Sequence, residues 1–325
     1  MILTRTPLRV SFAGGGSDLA EFYRRHTGIV VSTAIKQAMY IAIHPYFHDK
    51  IRIKYSRIED VSNVAEITHP IVRECLRTVG IERGVEIASF ADVPAGTGMG
   101  SSSAFTVGLL NAVYARTGRT FSPAVLAAAA CDIEITRLGE PIGKQDQYAV
   151  AFGGINRIRF LADDRVDVHP VACSSATRAE LEKRLMLFYT GADRSAGPIL
   201  SEQSRNMQDP AKFKQVVEMA ALAEDACCAL EQGDLEWFAS ILDQGWRLKS
   251  SLANGITNEM IDLVYRRARE AGANGGKLLG AGGGGFLLLS CPVDKQQFVR
   301  QALGQLRELP FGISEEGSSV LFNDG

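Results

Sequence analysis

Val93-Pro94-Ala95-Gly96-Thr97-Gly98-Met99-Gly100-Ser101-Ser102-Ser103-Ala104 is a glycine-rich loop that runs through consecutive serines into an apolar segment. Glycines at 96, 98 and 100 leave no Cβ to shield the backbone N–H groups. A helix predicted to begin at Ser101 aims its unpaired N-terminal donors and the positive end of its dipole at the same point. Such a cradle suits a polyphosphate, and the serine hydroxyls add short donors or a hard ligand for a cation such as Mg²⁺. A plain helix cap needs one small polar residue, and this loop spends far more.

Two familiar nucleotide loops are excluded by their own requirements. A Walker A loop ends in Gly-Lys-Ser/Thr, whereas the Gly-Lys pairs here are Gly143-Lys144, followed by Gln145, and Gly276-Lys277, followed by Leu278. A dinucleotide fingerprint started at Gly96 has Ser101 in its sixth place, and no acid follows at the spacing a ribose hydroxyl needs. Lys277-Leu278-Leu279-Gly280-Ala281-Gly282-Gly283-Gly284-Gly285-Phe286 also contains the spacing G-x-G-x-x-G, but it enters a strand. Successive glycines weaken regular structure, so either a ligand or another loop must press against them.

Working outward, the chain has 325 residues, enough for two ordinary domains, with 46% hydrophobic and 22% charged residues as in soluble globular proteins. A net charge of −2 and the absence of a Lys/Arg block argue against nucleic acid and membrane surfaces as partners. Cysteines 75, 131, 173, 227, 228 and 291 show no C-x-x-C spacing and read as reduced thiols. No secretory leader and no apolar run long enough for a membrane span are evident, so a cytoplasmic protein is expected. His26, His44, His48, His69 and His169 form no H-E-x-x-H, and no G-x-S-x-G elbow is present, which removes zinc hydrolysis and the serine-hydrolase triad.

Strand patterns cover 1–12, 29–46, 51–55 and 85–91, and a helix is predicted over 66–79. The serine loop launches a helix from 101 to 116, and Ser122-Pro123 caps a third that Gly139 stops. That third helix carries Glu134, and a loop over 140–148 carries Asp146 among Gly143, Lys144, Gln145 and Gln147. Strands at 154–161 and 184–190 precede amphipathic helices near 195–206, 210–232, 234–250 and 257–271. A strand at 286–289, a helix over 294–307 and a strand near 318–322 complete the chain. Pro7-Leu8-Arg9-Val10-Ser11-Phe12-Ala13-Gly14-Gly15-Gly16-Ser17-Asp18 is a strand ending in glycines, with Arg9 and Asp18 offering a cation and an acceptor suited to a polyol.

Segments 7–18, 94–104 and 277–286, in this order, together with the Asp146 loop, resemble the GHMP kinase superfamily across nearly the whole chain. The resemblance implies an α+β, two-domain fold. An N-terminal domain over 1–170 would contain a left-handed βαβ crossover, and a ferredoxin-like domain would cover 171–325. It also implies an ATP-dependent phosphotransferase with an alcohol acceptor. Pro94, Gly96, Thr97, Gly98, Met99, Gly100, Ser101, Ser102 and Ser103 would wrap the ATP phosphates, and Ser102 with Glu134 would hold Mg²⁺. Asp146 would accept the acceptor's proton and Arg9 would steady charge, while Gly15, Gly16, Ser17, Asp18, Lys144, Gly282 and Gly283 would meet the acceptor.

Galactokinases of the superfamily carry Gly-Glu-His where this chain has Gly14-Gly15-Gly16, which leaves room for a different or bulkier sugar. Within the superfamily the motifs look most like those of D-glycero-D-manno-heptose 7-phosphate kinases. That resemblance implies phosphorylation of an anomeric hydroxyl to the 1,7-bisphosphate, on a route to GDP-heptose for surface polysaccharide. Lys144, Arg137, Arg157, Lys36 and Arg24 lie near the motif segments as candidates for a second phosphate. An L-fucokinase-like enzyme, a diphosphomevalonate decarboxylase-like enzyme and an inactive binding module are the alternatives. The small-molecule partner is expected to be a sugar phosphate, and a homodimer is compatible with the sequence.

Overall fold

β1 (Ile2–Ala13) and β2 (Gly28–Pro45) are long because β-branched and aromatic residues alternate through both, and they pair antiparallel along almost their full length. The computed structural model describes residues 1–191 and 197–324. β3 (Ile51–Lys54), β4 (Ile58–Val61), β5 (Val85–Ala91), β6 (Ile155–Phe160) and β7 (Val166–Pro170) join the same sheet. The first half of β2, from Gly28 to Thr33, pairs with β6, and its second half, from Met39 to Pro45, pairs with β5. β3 and β5 run parallel, with β4 and the helix that follows it forming the crossover between them.

A second sheet contains β8 (Leu185–Tyr189), β9 (Gly275–Leu278), β10 (Phe286–Ser290) and β11 (Arg307–Leu309), in the antiparallel order β11-β8-β10-β9. This is the ferredoxin-like order that the family resemblance implies. β12 (Ser319–Asn323) then returns to the first sheet and pairs with β1, so that sheet takes one strand from beyond residue 170.

The helices are α1 (Ala20–Tyr23), α2 (Pro70–Val79), α3 (Ser101–Arg116), α4 (Pro123–Cys131), α5 (Gln145–Phe152), α6 (Ser175–Arg184), α7 (Gly197–Asn206), α8 (Pro210–Gln232), α9 (Leu235–Ser250), α10 (Glu259–Glu270) and α11 (Gln296–Ala302). α3 is apolar on every side and buried from Ser103 to Tyr114, lying across β1 and β2. The two sheets share one core: Phe12 at the end of β1 meets Phe238 of α9 edge-on, with ring centroids 5.1 Å apart. No helix among the described residues is long and apolar enough to cross a membrane.

Several boundaries depart from the sequence pattern. The helix predicted over 66–79 begins at Pro70, because His69 before the proline is held extended. The helix predicted to run to Gly139 changes at Asp132 into a π-helical turn over Asp132–Arg137, with Leu138 N–H reaching back to Ile133. The C-terminal helix predicted over 294–307 is confined to Gln296–Ala302, and its end becomes β11. Positions 195–196 of the helix predicted near 195–206 lie outside the described residues, and α7 spans the rest.

Asp146, expected in a loop, sits in the first turn of α5. That helix has no local side-chain cap. Its first amide, from Gln145, instead donates to Asp18 Oδ2 at 3.2 Å, a cap 127 residues upstream that no local pattern reveals.

Candidate active site

A cleft of about 360 Å³ opens between the phosphate loop, the end of β1, α5 and α9. One wall is main chain. Gly100 precedes α3 in a left-handed conformation with no side-chain cap, so the helix's first amides stay unspent beside the cleft. Thr97 Oγ1 donates to the Pro94 carbonyl at 3.0 Å, and Arg9 N–H donates to the Met99 carbonyl at 3.0 Å, which fixes the loop from both sides. Gly96, Gly98, Gly100, Ser101, Ser102 and Ser103 line the cleft, whereas Thr97 and Met99 are buried as its supports.

The glycines of 277–286 press against this loop. A Cβ on Gly98 would come within 2.6 Å of the Leu279 carbonyl oxygen, and one on Gly280 within 2.4 Å of the Gly98 Cα. Gly280 and Ala281 reach the cleft. Gly282 and Gly283, expected at the acceptor, do not line it: Gly283 N–H donates to Ile256 at 2.9 Å, and a Cβ on Gly282 would collide with the Ile256 backbone.

At the cleft floor, Arg9 and Asp146 meet in a two-point ion pair, Nε to Oδ1 at 2.7 Å and a terminal nitrogen to Oδ2 at 2.8 Å. The other terminal nitrogen donates to the Gly98 carbonyl at 2.6 Å, so the same guanidinium ties Asp146 to the phosphate loop. A Cβ on Gly100 would stand 3.4 Å from Asp146 Oδ2, which measures how closely carboxylate and loop approach.

Glu134 projects from the π-helical turn and is buried. Ser102 Oγ donates to its Oε1 at 2.9 Å, and Gln147 Nε2 donates to its Oε2 at 2.7 Å. Burial raises the Glu134 carboxyl above its ordinary value, with the Gln147 and Ser102 hydrogen bonds opposing the shift. One carboxylate and one hydroxyl beside a polyphosphate cradle fit Mg²⁺, which takes few protein ligands and completes its shell with phosphate oxygens and water.

Asp18 lines the acceptor end with its bonds largely used: Oδ1 accepts from Gly16 N–H at 3.0 Å and Gln145 Nε2 at 3.1 Å, and Oδ2 caps α5. Its carboxyl is raised, first by burial and then by Asp146. The hydroxyl of Ser17 is spent on Ile29, accepting from its N–H and donating to its carbonyl, and does not line the cleft. Gly15 and Gly16 do line it, though Gln203 of α7 fills part of the space at Gly16, where a Cβ would come within 2.5 Å of its amide nitrogen.

Lys144 points away. Its Nζ is 2.9 Å from Asp164 Oδ1 and 4.8 Å from the centre of the Tyr23 ring. Arg24 and Arg157 are likewise paired, with Asp164 and Glu224, and Arg137 pairs with Asp132. Sequence reasoning missed Ser11, Gln145, Gln203 and Lys249, all of which line the cleft. Ser11 Oγ and Gln145 Oε1 are buried with no hydrogen-bond partner, the mark of groups that await a polar ligand. A second cavity of about 660 Å³ adjoins the loop on its other side, where His69 stacks on Phe105 at 5.0 Å and Tyr55, Phe90 and Pro94 complete the wall.

Residues 64–154 match the GHMP kinases N terminal domain, and residues 225–307 match the GHMP kinases C terminal domain. The D-glycero-alpha-D-manno-heptose 7-phosphate kinase of Campylobacter jejuni is 30% identical over 320 residues, covering 93% of each chain. The bifunctional fucokinase/GDP-fucose pyrophosphorylase of Arabidopsis thaliana is 27% identical over 93% of this chain but only 31% of its own length. Among solved structures, a D-glycero-D-manno-heptose 1-phosphate kinase from Bacteroides thetaiotaomicron superposes with a TM-score of 0.83 at 25% identity, covering 100% of both chains. The two domain matches take in the phosphate loop, α5 and α9 of the cleft, and the chain belongs to the GHMP kinase family of ATP-dependent phosphotransferases.

Proposed function

We propose that this kinase transfers the terminal phosphoryl group of Mg²⁺-bound ATP to the anomeric hydroxyl of D-glycero-D-manno-heptose 7-phosphate. The observation that carries the reading is the Arg9–Asp146 pair, held at the contact between the main-chain cradle and a wall of unspent polar groups. The similarity to a heptose 7-phosphate kinase over 93% of the chain supports the choice of acceptor. Gly15, where a Cβ would have nothing nearer than 3.7 Å, leaves space at the acceptor end for a larger sugar.

Phosphoryl transfer asks the protein for in-line positioning and charge neutralisation. The α3 amides and the loop hold the polyphosphate, and Ser102 with Glu134 would hold the metal, which supplies further neutralisation of phosphate oxygens. Both Asp146 oxygens keep a lone pair beyond the Arg9 bonds, so one can accept the hydrogen of the attacking hydroxyl and take its proton. Arg9 fixes that carboxylate and, through Gly98, keeps it in register with the loop. Ser11 and Gln145 orient the sugar, and the cavity with His69 and Phe105 suits a stacked nucleoside base.

Purified protein incubated with Mg²⁺ and ATP against heptose 7-phosphate, L-fucose, galactose and mannose tests the acceptor. Turnover of the heptose phosphate above the free sugars is expected. Turnover of only an unphosphorylated sugar would overturn the proposal, and L-fucose alone would favour the fucokinase-like reading.

A further inference from the structure

Arg9, Lys249 and Lys277 bring three cationic side chains to the cleft. Arg9 is matched by Asp146. The lysines are not matched: Lys277 Nζ donates to the Phe12 carbonyl at 3.0 Å and Lys249 Nζ to the Gly280 carbonyl, and among the described residues neither has a carboxylate in ion-pair contact. Lys249 is 7% exposed and Lys277 5%. An ammonium has three donors, so each holds two in reserve.

Burying a cation without a counter-charge is costly, and two in one cleft repel each other. Burial pushes Lys249 down to about 8, with Arg9 adding to the shift and Asp18 and Asp146 opposing it. Burial, then Lys249 and Arg9, hold Lys277 well below the ordinary lysine range. An arriving anion offsets this cost, whereas an apolar side chain in either place would avoid it altogether. The positions are telling. Lys249 hangs on Gly280, whose backbone abuts Gly98 of the phosphate loop, and Lys277 hangs on Phe12, just before the Gly14–Gly16 turn at the acceptor end.

We propose that Lys249 and Lys277 form a phosphate-oxygen subsite, separate from the amide cradle, that grips a phosphoryl dianion where nucleotide and acceptor meet. It supplies the basic side chains that the loop lacks. Two groups carry this chemistry: the terminal phosphate of the nucleotide, and the acceptor's own phosphate, the second resting on the heptose 7-phosphate reading above.

Calorimetric titration of the wild type, Lys249→Met and Lys277→Met decides it, using Mg·ADP, Mg·AMP-PNP, and inorganic phosphate added to ADP-saturated protein. A loss of about tenfold for AMP-PNP with ADP unchanged assigns the nucleotide's terminal phosphate. The same loss for inorganic phosphate, with both nucleotides unchanged, assigns the acceptor's phosphate, and loss in both arms means that both groups use the pair. Affinities within about twofold of wild type for all three ligands, or an equal loss for all three including ADP, overturn the proposal. If Lys277→Met fails to fold, Lys249→Met alone decides. No turnover is measured, so an error in the acceptor sugar leaves the nucleotide arm intact.

Discussion

The two walls of the cleft are made of different material. The nucleotide side is main chain, glycine amides and the uncapped start of α3, all within residues 96–103. The acceptor side is side chain, with Ser11 from β1, Gln145 and Asp146 from α5 and Gln203 from α7 converging from distant parts of the chain. On the proposed function, the wall of amides would bind what every reaction of the family shares, a polyphosphate. A wall of side chains changes one residue at a time, and specificity is free to drift there while the cradle stays fixed.

That contrast breaks first at Asp146. Asp146→Asn is expected to lower kcat by about 10²-fold or more while nucleotide affinity holds, since the amide accepts no proton and lies outside the cradle. Steady-state kinetics with a parallel nucleotide titration checks this, and near-normal turnover would remove Asp146 from the chemistry.

Between the two walls stands Glu134. Glu134→Gln is expected to raise the Mg²⁺ requirement by about 10- to 100-fold. Because burial raises the Glu134 carboxyl above the ordinary glutamate range, the wild type should lose Mg²⁺ activation as pH falls, starting above that range, as protons displace the metal. Metal titrations at stepped pH read this directly, and the Gln variant should lack that pH dependence. An unchanged metal response would show the ligand to lie elsewhere.

The main-chain wall is sharpened by Gly98→Ala. With φ at +81° and the Leu279 oxygen 2.6 Å from the added methyl, a loss of about 1–3 kcal/mol in stability is expected. Denaturant unfolding with and without nucleotide measures it, and a neutral result would mean that the two loops are looser than their contact implies.

The same contrast explains what the sequence disclosed. The cradle was legible because its chemistry is written locally: glycine where amides must be bare, serine where α3 starts, an apolar run where a helix is buried on all sides. Long strands such as β2 and helices such as α8 followed from periodicity. The acceptor wall was hidden because its local signals are weak or borrowed. α5 takes its cap from Asp18, so Gly143 to Gln147 reads as loop, and Gly143 is demanded by that same carboxylate, 1.9 Å from where its Cβ would stand. Lys144 stood out in the sequence beside Asp146, yet Asp164 claims it. Lys249 lies in an amphipathic helix where a lysine looks like a surface charge, and only the approach of α9 to the phosphate loop distinguishes it. The short strands β4, β7 and β11 went unread because each has at most two apolar side chains to mark it, against three or more in 51–55, 286–289 and 318–322.

The bare approach of Gly98 to Gly280 has a mechanical corollary. Two backbones touching without side chains have no rotamers to absorb a displacement, so a push on one is felt by the other. Displacements of the 94–104 loop and of the 277–286 loop are therefore expected to be coupled at this seam.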